Sequence, residues 1–235
     1  MKTYLISSKS ESDRQLNIKD IFANKYLNIE VIDAIYPSKI HIPFLAKLIA
    51  KSKINAGKEL LLGEVGCLLS HRSIWRKIKK NSNFNDHCLI LESDSCILNS
   101  ALLEKNFFNL VSSYDIFFWG SWEGHTKLFR STKKNLKDNY KTGTAFIKTV
   151  YCTYGYSLNP KAASLLLERT GKISYPVDQF KRFFKQSELK IGAILPEVIS
   201  GNEMGSTIRG NNNRLFNSIL FMILDIKNNI ICYFK

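Results

Sequence analysis

The chain has 235 residues, 45% apolar and 23% charged, which is the composition of a globular protein and excludes collagen-like and coiled-coil chains. Its formal net charge of +14 favours anionic partners such as nucleic acid, nucleotide diphosphates or an anionic membrane surface. The sequence carries no zinc-finger spacing, RNA-binding signature or helix-turn-helix pattern, so we expect no nucleic acid partner.

The five cysteines form neither a CxxC pair nor a metal-ligand spacing, and their number is odd. The first residues lack the pattern of a signal peptide, and no apolar run is long enough to span a membrane. We therefore expect the protein in a reducing cytoplasm.

The amino-terminal part predicts a βαβ unit. Residues 3–6 predict a strand, residues 14–23 a helix with one apolar face, and residues 29–32 a second strand. A strand, a helix and a strand in this order favour a parallel sheet. After two prolines, residues 44–53 predict a short basic helix.

The middle of the chain holds the clearest helix and the clearest strand. Residues 63–80 carry an apolar stripe and end in basic side chains, which suit the carboxyl end of a helix. Residues 88–91 are an unbroken apolar run of the kind that lies in the centre of a parallel sheet. The later predicted elements are a helix over 101–111, a strand over 114–119, a long active-site loop over 122–142, strands over 145–147 and 153–158, and helices over 160–171 and 179–184.

Two acids directly follow the apolar run, because Glu92 and Asp94 flank Ser93. In open α/β sheets the ligand crevice lies beyond the carboxyl ends of the strands. Carboxylates are preferred ligands of Mg²⁺ and Mn²⁺, so this position predicts a metal–diphosphate site. The alternative is that the two acids begin a turn or cap the next helix.

The segment GEVGCLLSH at residues 63–71 resembles a helix start that is typical of glycosyltransferase family 25, the lipopolysaccharide and lipooligosaccharide galactosyltransferases. The apolar strand of that family ends in L-E-D-D-A, where this chain has LESDS at residues 91–95. The resemblance spans most of residues 3–180. Weaker matches lie at residues 5–14, 156–163 and 176–178.

The resemblance implies an α/β protein of the GT-A type, with a Rossmann-like, mostly parallel central sheet flanked by helices. It implies inverting transfer, most often of galactose from UDP-galactose, to an oligosaccharide on lipid A, with Mn²⁺ or Mg²⁺ on the donor diphosphate. We expect the catalytic domain over residues 1–212 and an apolar, basic segment over residues 213–235.

The resemblance also assigns the metal ligands to Asp94 and Glu92. Ser93 stands where the family has its central Asp. Activity is expected to survive if the last acid is the direct ligand, and to be impaired if the central acid is. A catalytically inactive relative that binds a nucleotide sugar or a partner is therefore an alternative function, and a basic nucleic-acid-binding protein is a further one.

Three acids are hypotheses for the base that takes the proton of the acceptor hydroxyl. Asp178 ranks first because it matches the P-[VI]-D segment of the family, and its alternative role is a helix cap. Glu123 lies in the long loop and Glu203 in a glycine-containing loop, and each has an ordinary loop acid as its alternative.

Residues that bind the donor are expected after the first two strands and on two helices, although each also has a structural interpretation. They are Ser7, Arg14, Asp33, Ala34, Ser70 and His71.

The apolar residues of 215–234 predict either a final core helix or a helix in the membrane interface. A lipid-linked acceptor favours the second interpretation. The expected location is then peripheral, on the cytoplasmic face of the inner membrane of a Gram-negative bacterium.

Overall fold

The computed structural model describes residues 1–8, 14–57, 59–81, 83, 86–120, 124–201 and 214–235. The strands are β1 (Lys2–Ser7), β2 (Asn28–Asp33), β3 (Cys88–Glu92), β4 (Ser95–Ile97), β5 (Ile116–Phe118), β6 (Lys134–Asn135), β7 (Lys141–Thr144), β8 (Gly155–Leu158), β9 (Ile191–Leu195) and β10 (Ile199–Gly201). The helices are α1 (Gln15–Phe22), α2 (Ile42–Ala56), α3 (Leu62–Asn81), α4 (Ser100–Val111), α5 (Pro160–Arg169) and α6 (Arg214–Phe234).

One eight-stranded sheet has the order β2-β1-β3-β8-β5-β9-β7-β6, and β10 pairs with β4 in a separate two-stranded sheet. The neighbours β2, β1 and β3 are parallel, as are β5 and β9. Strand β8 is antiparallel to both β3 and β5, and β7 is antiparallel to its neighbours. Among the described strands of the large sheet, all but β8 and β7 therefore run in one direction, and the expected α/β, Rossmann-like fold is confirmed.

Both faces of the central strands are buried, which explains the unbroken apolar run of β3. Leu89 and Leu91 join a core with residues of α1 and α4, such as Ile21 and Phe107. Ile90 belongs to a second core on the opposite face, to which α3 and α5 contribute. Side chains of a strand alternate between the two faces, so a strand between two helix layers needs apolar residues at every position.

The structure differs from the predictions after residue 120. Residues 145–147 do not form the predicted strand: β7 ends at Thr144, and a 3₁₀ turn follows over Ile147–Thr149. Their apolar side chains are buried in the core. Because both a strand and a turn can bury apolar side chains, the apolar pattern does not distinguish the two. The predicted loop over 122–142 contains β6 and the start of β7 at the sheet edge.

The predicted helix over 179–184 is also wrong. It is one 3₁₀ turn over Phe180–Arg182, although Phe180, Phe183 and Phe184 are all buried. Strand β9 was not predicted, and it lies inside the sheet between β5 and β7.

Asp115 joins three elements at the start of β5. Its carboxylate accepts hydrogen bonds from Lys161 Nζ at 2.9 Å, Lys190 N at 2.8 Å and Asn159 Nδ2 at 3.2 Å. Asn159 also caps α5, because its Oδ1 accepts the Ala162 N–H. Burial raises the pKa of Asp115, but these donors outweigh burial and hold the pKa below its usual value.

Helix α3 packs closely against the loop that follows β2. A Cβ atom on Gly66 would lie 2.4 Å from the Ile35 carbonyl oxygen and 2.9 Å from Pro37 Cδ. Ser70 Oγ accepts the Ile35 N–H at 2.8 Å and donates to the Gly66 carbonyl at 2.8 Å. The glycine and the serine of the GEVGCLLSH segment therefore fix the distance between the helix and this loop.

The last turns of α6 contact the body of the protein on one side only. Cys232 and Ile231 pack against Phe129 and Phe146, and Lys127 Nζ lies 3.0 Å from Asp225 Oδ1. On the other side, large apolar side chains are exposed, including Ile226, Ile230 and Phe234. Within the described ranges, no helix is long and apolar enough to cross a membrane.

We expect Gly66→Ala to lower the free energy of unfolding by about 1–3 kcal/mol, because the new methyl group meets backbone atoms that must move. Chemical denaturation measures the change. Arg76→Ala, on the exposed side of the same helix, is the control. A Gly66→Ala protein that is as stable as the unchanged protein, or more stable, as helix propensity alone would predict, would contradict this packing.

We expect Asp115→Asn to lower the free energy of unfolding by about 2 kcal/mol at pH 7, because three donors lose a charged acceptor. The folded-state pKa is lowered, so this stabilisation is present above the unfolded-state pKa and is lost as the pH falls through the folded-state value. Denaturation curves at several pH values should therefore converge for the two proteins in acid. Exposed Asp20→Asn is the control, and a constant difference at all pH values would refute the assignment.

Candidate active site

The candidate site lies at the edge of the sheet where β1, β2 and β3 end and antiparallel β8 begins. The strand registers place Ser7 beside Asp33, and Glu92 beside Ile6. Because β8 runs in the opposite direction, the residues before Gly155 lie next to the end of β3. This is the edge at which the sequence predicted a ligand site.

The two acids lie at the end of β3 and in the short turn that joins β3 to β4. Hydrogen bonds from buried side chains hold this turn in place. Asn17 Nδ2 donates to the carbonyl oxygens of Ser93 and Ser95, both at 2.8 Å. The Glu92 N–H donates to Ser95 Oγ at 2.8 Å, and the Ser95 hydroxyl donates to the Tyr154 carbonyl. These buried anchors give the carboxyl groups at positions 92 and 94 a defined place.

Arg14, at the start of α1, brings a positive charge to this turn. Its Nη1 donates to Ser93 Oγ at 2.8 Å and lies 3.5 Å from Asp94 Oδ2. Ser93 is buried and its hydroxyl faces the guanidinium, so position 93 is directed towards the interior of the protein. A serine here removes one negative charge from the turn and leaves the acids at 92 and 94 in place.

A chain of hydrogen bonds reaches Glu92 from the interior. Trp75 Nε1 donates to the Tyr156 oxygen at 2.9 Å, and this oxygen lies 2.9 Å from His71 Nδ1. His71 Nε2 lies 3.1 Å from Glu92 Oε1. Every donor is satisfied if the Tyr156 hydroxyl donates to Nδ1 and His71 Nε2–H donates to Glu92.

This chain sets the charge of Glu92. Burial raises its pKa, but the His71 hydrogen bond, a hydrogen bond from Thr153 and the charge of Arg14 together bring the pKa below its usual value. Glu92 is therefore ionised at neutral pH. Burial raises the pKa of Tyr156 well above its usual range, so the phenol keeps its proton.

Asp178 lies near the same carboxyl groups. Burial raises the pKa of the Cys67 thiol, and the charges of Glu92, Asp178 and Asp94 raise it further, so these three acids lie within electrostatic range of one thiol. The Oδ1 atoms of Asp94 and Asp178 are both buried. Asp178 does not begin a helix, because it lies in a turn closed by the Gln179 N–H on the Pro176 carbonyl at 3.1 Å. The helix-cap interpretation is therefore wrong.

Two donor sets near this edge could hold a metal ion. The ligand atoms of Cys67, His71 and Glu92 lie within 4.8 Å of one another. However, both ring nitrogens of His71 already have partners and the thiol is protonated, so this softer set would first have to lose its own hydrogen bonds and a proton. The carboxylates of Glu92 and Asp94 are hard oxygen ligands, which fit Mg²⁺ or Mn²⁺.

The predicted donor-binding residues are distributed around this edge. Ser7 is buried, and its carbonyl accepts the Ala34 N–H at 2.9 Å, so both lie where β1 and β2 end. Asp33 is exposed at the same place. Arg14 and His71 contact the acidic turn directly, whereas the hydroxyl of Ser70 holds the loop after β2.

Glu123 and Glu203 lie outside the described residues, so their predicted roles stay predictions. Residues that the sequence interpretation missed are Asn17, Thr153 and Tyr156. Asn17 is buried among apolar neighbours on α1, and a polar residue on an apolar helix face was the available signal. Tyr156 lies within an apolar strand, where nothing local distinguishes it from a core residue.

Comparison with known proteins agrees with this geometry. The chain is 29% identical over 201 residues to a protein of Haemophilus influenzae (strain ATCC 51907 / DSM 11121 / KW20 / Rd) named "Putative glycosyltransferase", and the alignment covers 83% of this chain and 68% of that relative. The family described as "Glycosyltransferase family 25 (LPS biosynthesis protein)" matches residues 1–181, which include Arg14, His71, Glu92, Asp94 and Asp178. The chain therefore belongs to glycosyltransferase family 25.

Proposed function

We propose that the protein transfers galactose from UDP-galactose to a lipid-linked oligosaccharide, with inversion at the sugar carbon and with Mn²⁺ or Mg²⁺ on the donor diphosphate. The observation that carries this proposal is the acidic turn after β3. An ionised Glu92, Asp94 and the guanidinium of Arg14 meet there at the ligand-binding edge of the sheet.

The donor is proposed to lie across the ends of β1, β2 and β3. Arg14 offers guanidinium donors to a phosphate, and its position 3.5 Å from Asp94 Oδ2 holds it beside the cation ligands. Ser7, Asp33 and Ala34 occupy the strand ends where α/β proteins bind the nucleoside. His71 acts on the donor only indirectly, because it fixes the position and the charge of Glu92.

Glu92 and Asp94 are the proposed cation ligands. A bound divalent cation stabilises the negative charge that develops on the leaving diphosphate. Asn17 and Ser95 hold the turn that carries both acids, so the ligands need little reorganisation when the donor binds.

Asp178 is the proposed base that takes the proton of the acceptor hydroxyl. Inversion in one displacement requires the nucleophile to attack the face of the sugar opposite the diphosphate, so the base belongs on the acceptor side. Asp178 comes from the second half of the chain, whereas Arg14, Glu92 and Asp94 come from the first half. The proposed base and the proposed cation ligands are therefore contributed by different segments of the chain.

The exposed apolar side chains of α6 support a peripheral position at the cytoplasmic face of the inner membrane. Ile226, Ile230 and Phe234 are exposed beside Lys227 and Lys235. Apolar residues flanked by basic ones suit the headgroup region of an anionic bilayer. This position would bring the enzyme close to a lipid-linked acceptor.

A catalytically inactive relative is the second candidate function, because Ser93 replaces an acid of the family pattern. The position of Ser93 argues for activity, since the residue is buried and hydrogen-bonded to Arg14, while the acids at positions 92 and 94 are kept. Release of UDP from UDP-galactose, assayed with Mn²⁺ and a lipooligosaccharide acceptor, distinguishes the two functions. Absence of turnover across a panel of donors and acceptors would favour the inactive relative.

We expect Asp94→Asn to weaken UDP binding at least tenfold in the presence of Mn²⁺, because one cation ligand loses its charge. Ser93→Ala should keep the Mn²⁺-dependent binding within about threefold, since position 93 faces Arg14. Thermal shift with UDP, with and without Mn²⁺, measures both. If Asp94→Asn kept the full Mn²⁺-dependent stabilisation, or if only Ser93→Ala lost it, the proposed ligand assignment would fail.

We expect Asp178→Asn to slow galactose transfer by about 10²- to 10⁴-fold and to leave the affinity for UDP unchanged, because only proton removal from the acceptor is lost. Initial rates of UDP release with a lipooligosaccharide acceptor measure the effect. Glu168→Gln, which changes an exposed acid, is the control. An Asp178→Asn enzyme with normal rates would exclude Asp178 as the base.

A further inference from the structure

A cavity of about 460 Å³ lies between α6 and the turns around residues 146–151 and 181–186. Its volume is that of a pocket for a small molecule. Five basic side chains line it. They are Lys148, Lys181, Arg182, Lys185 and Lys227.

No carboxylate is found among the described residues that line this cavity. Two acids that are close in sequence to cavity residues pair with other groups. Asp225 pairs with Lys127 at 3.0 Å, and Glu188 accepts hydrogen bonds from Arg169 at 2.9 Å and from the Lys185 N–H at 2.6 Å. The cavity therefore concentrates positive charge, which favours an anionic ligand.

The cavity also has an ordered wall with apolar character. Lys181 Nζ donates to Tyr151 Oη at 2.9 Å and lies 4.3 Å from the centroid of the same tyrosine ring, so this lysine is held in place. Phe146, Phe184 and Ile231 contribute apolar surface beside the cations. An aromatic and apolar wall next to basic groups suits a sugar ring that carries an anion.

Two segments connect this cavity to the candidate active site. Tyr151 lines the cavity, and Thr153, which hydrogen-bonds Glu92, follows two residues later. Lys181 lines the cavity three residues after Asp178. Two or three residues span at most roughly 7–10 Å of chain, which is about the length of one or two sugar units. The path from Asp178 is shorter than this limit, because Phe180–Arg182 forms a 3₁₀ turn. The cavity therefore adjoins the segments that carry Thr153 and Asp178.

We infer that this cavity binds a phosphate group on a sugar of the acceptor, one or two units away from the hydroxyl that is glycosylated. Binding of a sugar phosphate follows from the cavity alone, whereas its role in positioning an acceptor rests on the proposed function. A phospholipid headgroup presents the same phosphate chemistry, but a concave cavity with an aromatic wall favours a sugar phosphate over a flat lipid surface.

The test compares two doubly substituted proteins with the same change in net charge. Lys181→Gln/Lys227→Gln removes two cations from the cavity, and Lys19→Gln/Lys172→Gln removes two exposed cations elsewhere. Calorimetric titration with glucose 6-phosphate and with glucose measures binding to the full-length chains. We expect glucose 6-phosphate, but not glucose, to bind, with the dissociation constant raised at least tenfold by the cavity variant and less than twofold by the control.

Three outcomes would overturn the inference. The first is no saturable binding of glucose 6-phosphate, and the second is equal affinity of the two variants for glucose 6-phosphate. The third is a cavity variant that loses binding to phosphatidylglycerol vesicles but keeps its affinity for glucose 6-phosphate. UDP binding with Mn²⁺, measured on the same proteins, separates this inference from the proposed function. The cavity inference alone fails if UDP binds normally and glucose 6-phosphate does not. The proposed function fails alone if the unchanged protein binds glucose 6-phosphate in the cavity but binds no UDP.

Discussion

The candidate site depends on keeping one partly buried carboxylate ionised at the end of a buried strand. Burial alone would favour a neutral Glu92, and a neutral carboxyl group is a poor cation ligand. His71, together with Thr153 and Arg14, reverses this preference. The His71 ring is hydrogen-bonded to Tyr156, which in turn accepts the Trp75 indole N–H. The charge at the surface of the sheet is thus determined by side chains that lie inside the core.

This requirement explains why the GEVGCLLSH segment has several roles at once. The histidine can reach Glu92 only if α3 lies close to the sheet and to the loop after β2. Gly66 permits that approach, because any side chain would meet the Ile35 carbonyl, and Ser70 then ties the same loop to the helix. Glu64 accepts the Leu61 N–H at 2.9 Å and so fixes where the helix begins. Packing and charge are consequently specified by about two turns of one helix.

Much of the fold could be predicted from local patterns, because the strands from β1 to β3 and the helices from α1 to α5 carry clear periodicity. The wrong predictions concern segments whose apolar residues indicate burial but not the conformation of the backbone. Residues 145–147 and 179–184 are apolar because they pack in the core, but their backbone forms turns. Strand β9, with two small residues among its apolar ones, gave too short and too mixed a signal to be recognised. For the site, the acids after β3 were predictable from strand ends, whereas the partners Asn17, Thr153 and Tyr156 depend on contacts between residues far apart in the chain.

The reversed direction of β8 has a consequence for how specificity is divided along the chain. Because β8 is antiparallel to β3 and β5, it begins at the edge of the sheet where β3 ends and where the candidate site lies. The segment before β8 therefore lies next to Glu92, and its earlier residues line the basic cavity beside α6. The family match ends at residue 181, so part of that cavity is built from residues beyond it. Under the proposed function, such an arrangement would let related enzymes exchange the groups that select an acceptor while the proposed donor site is left intact.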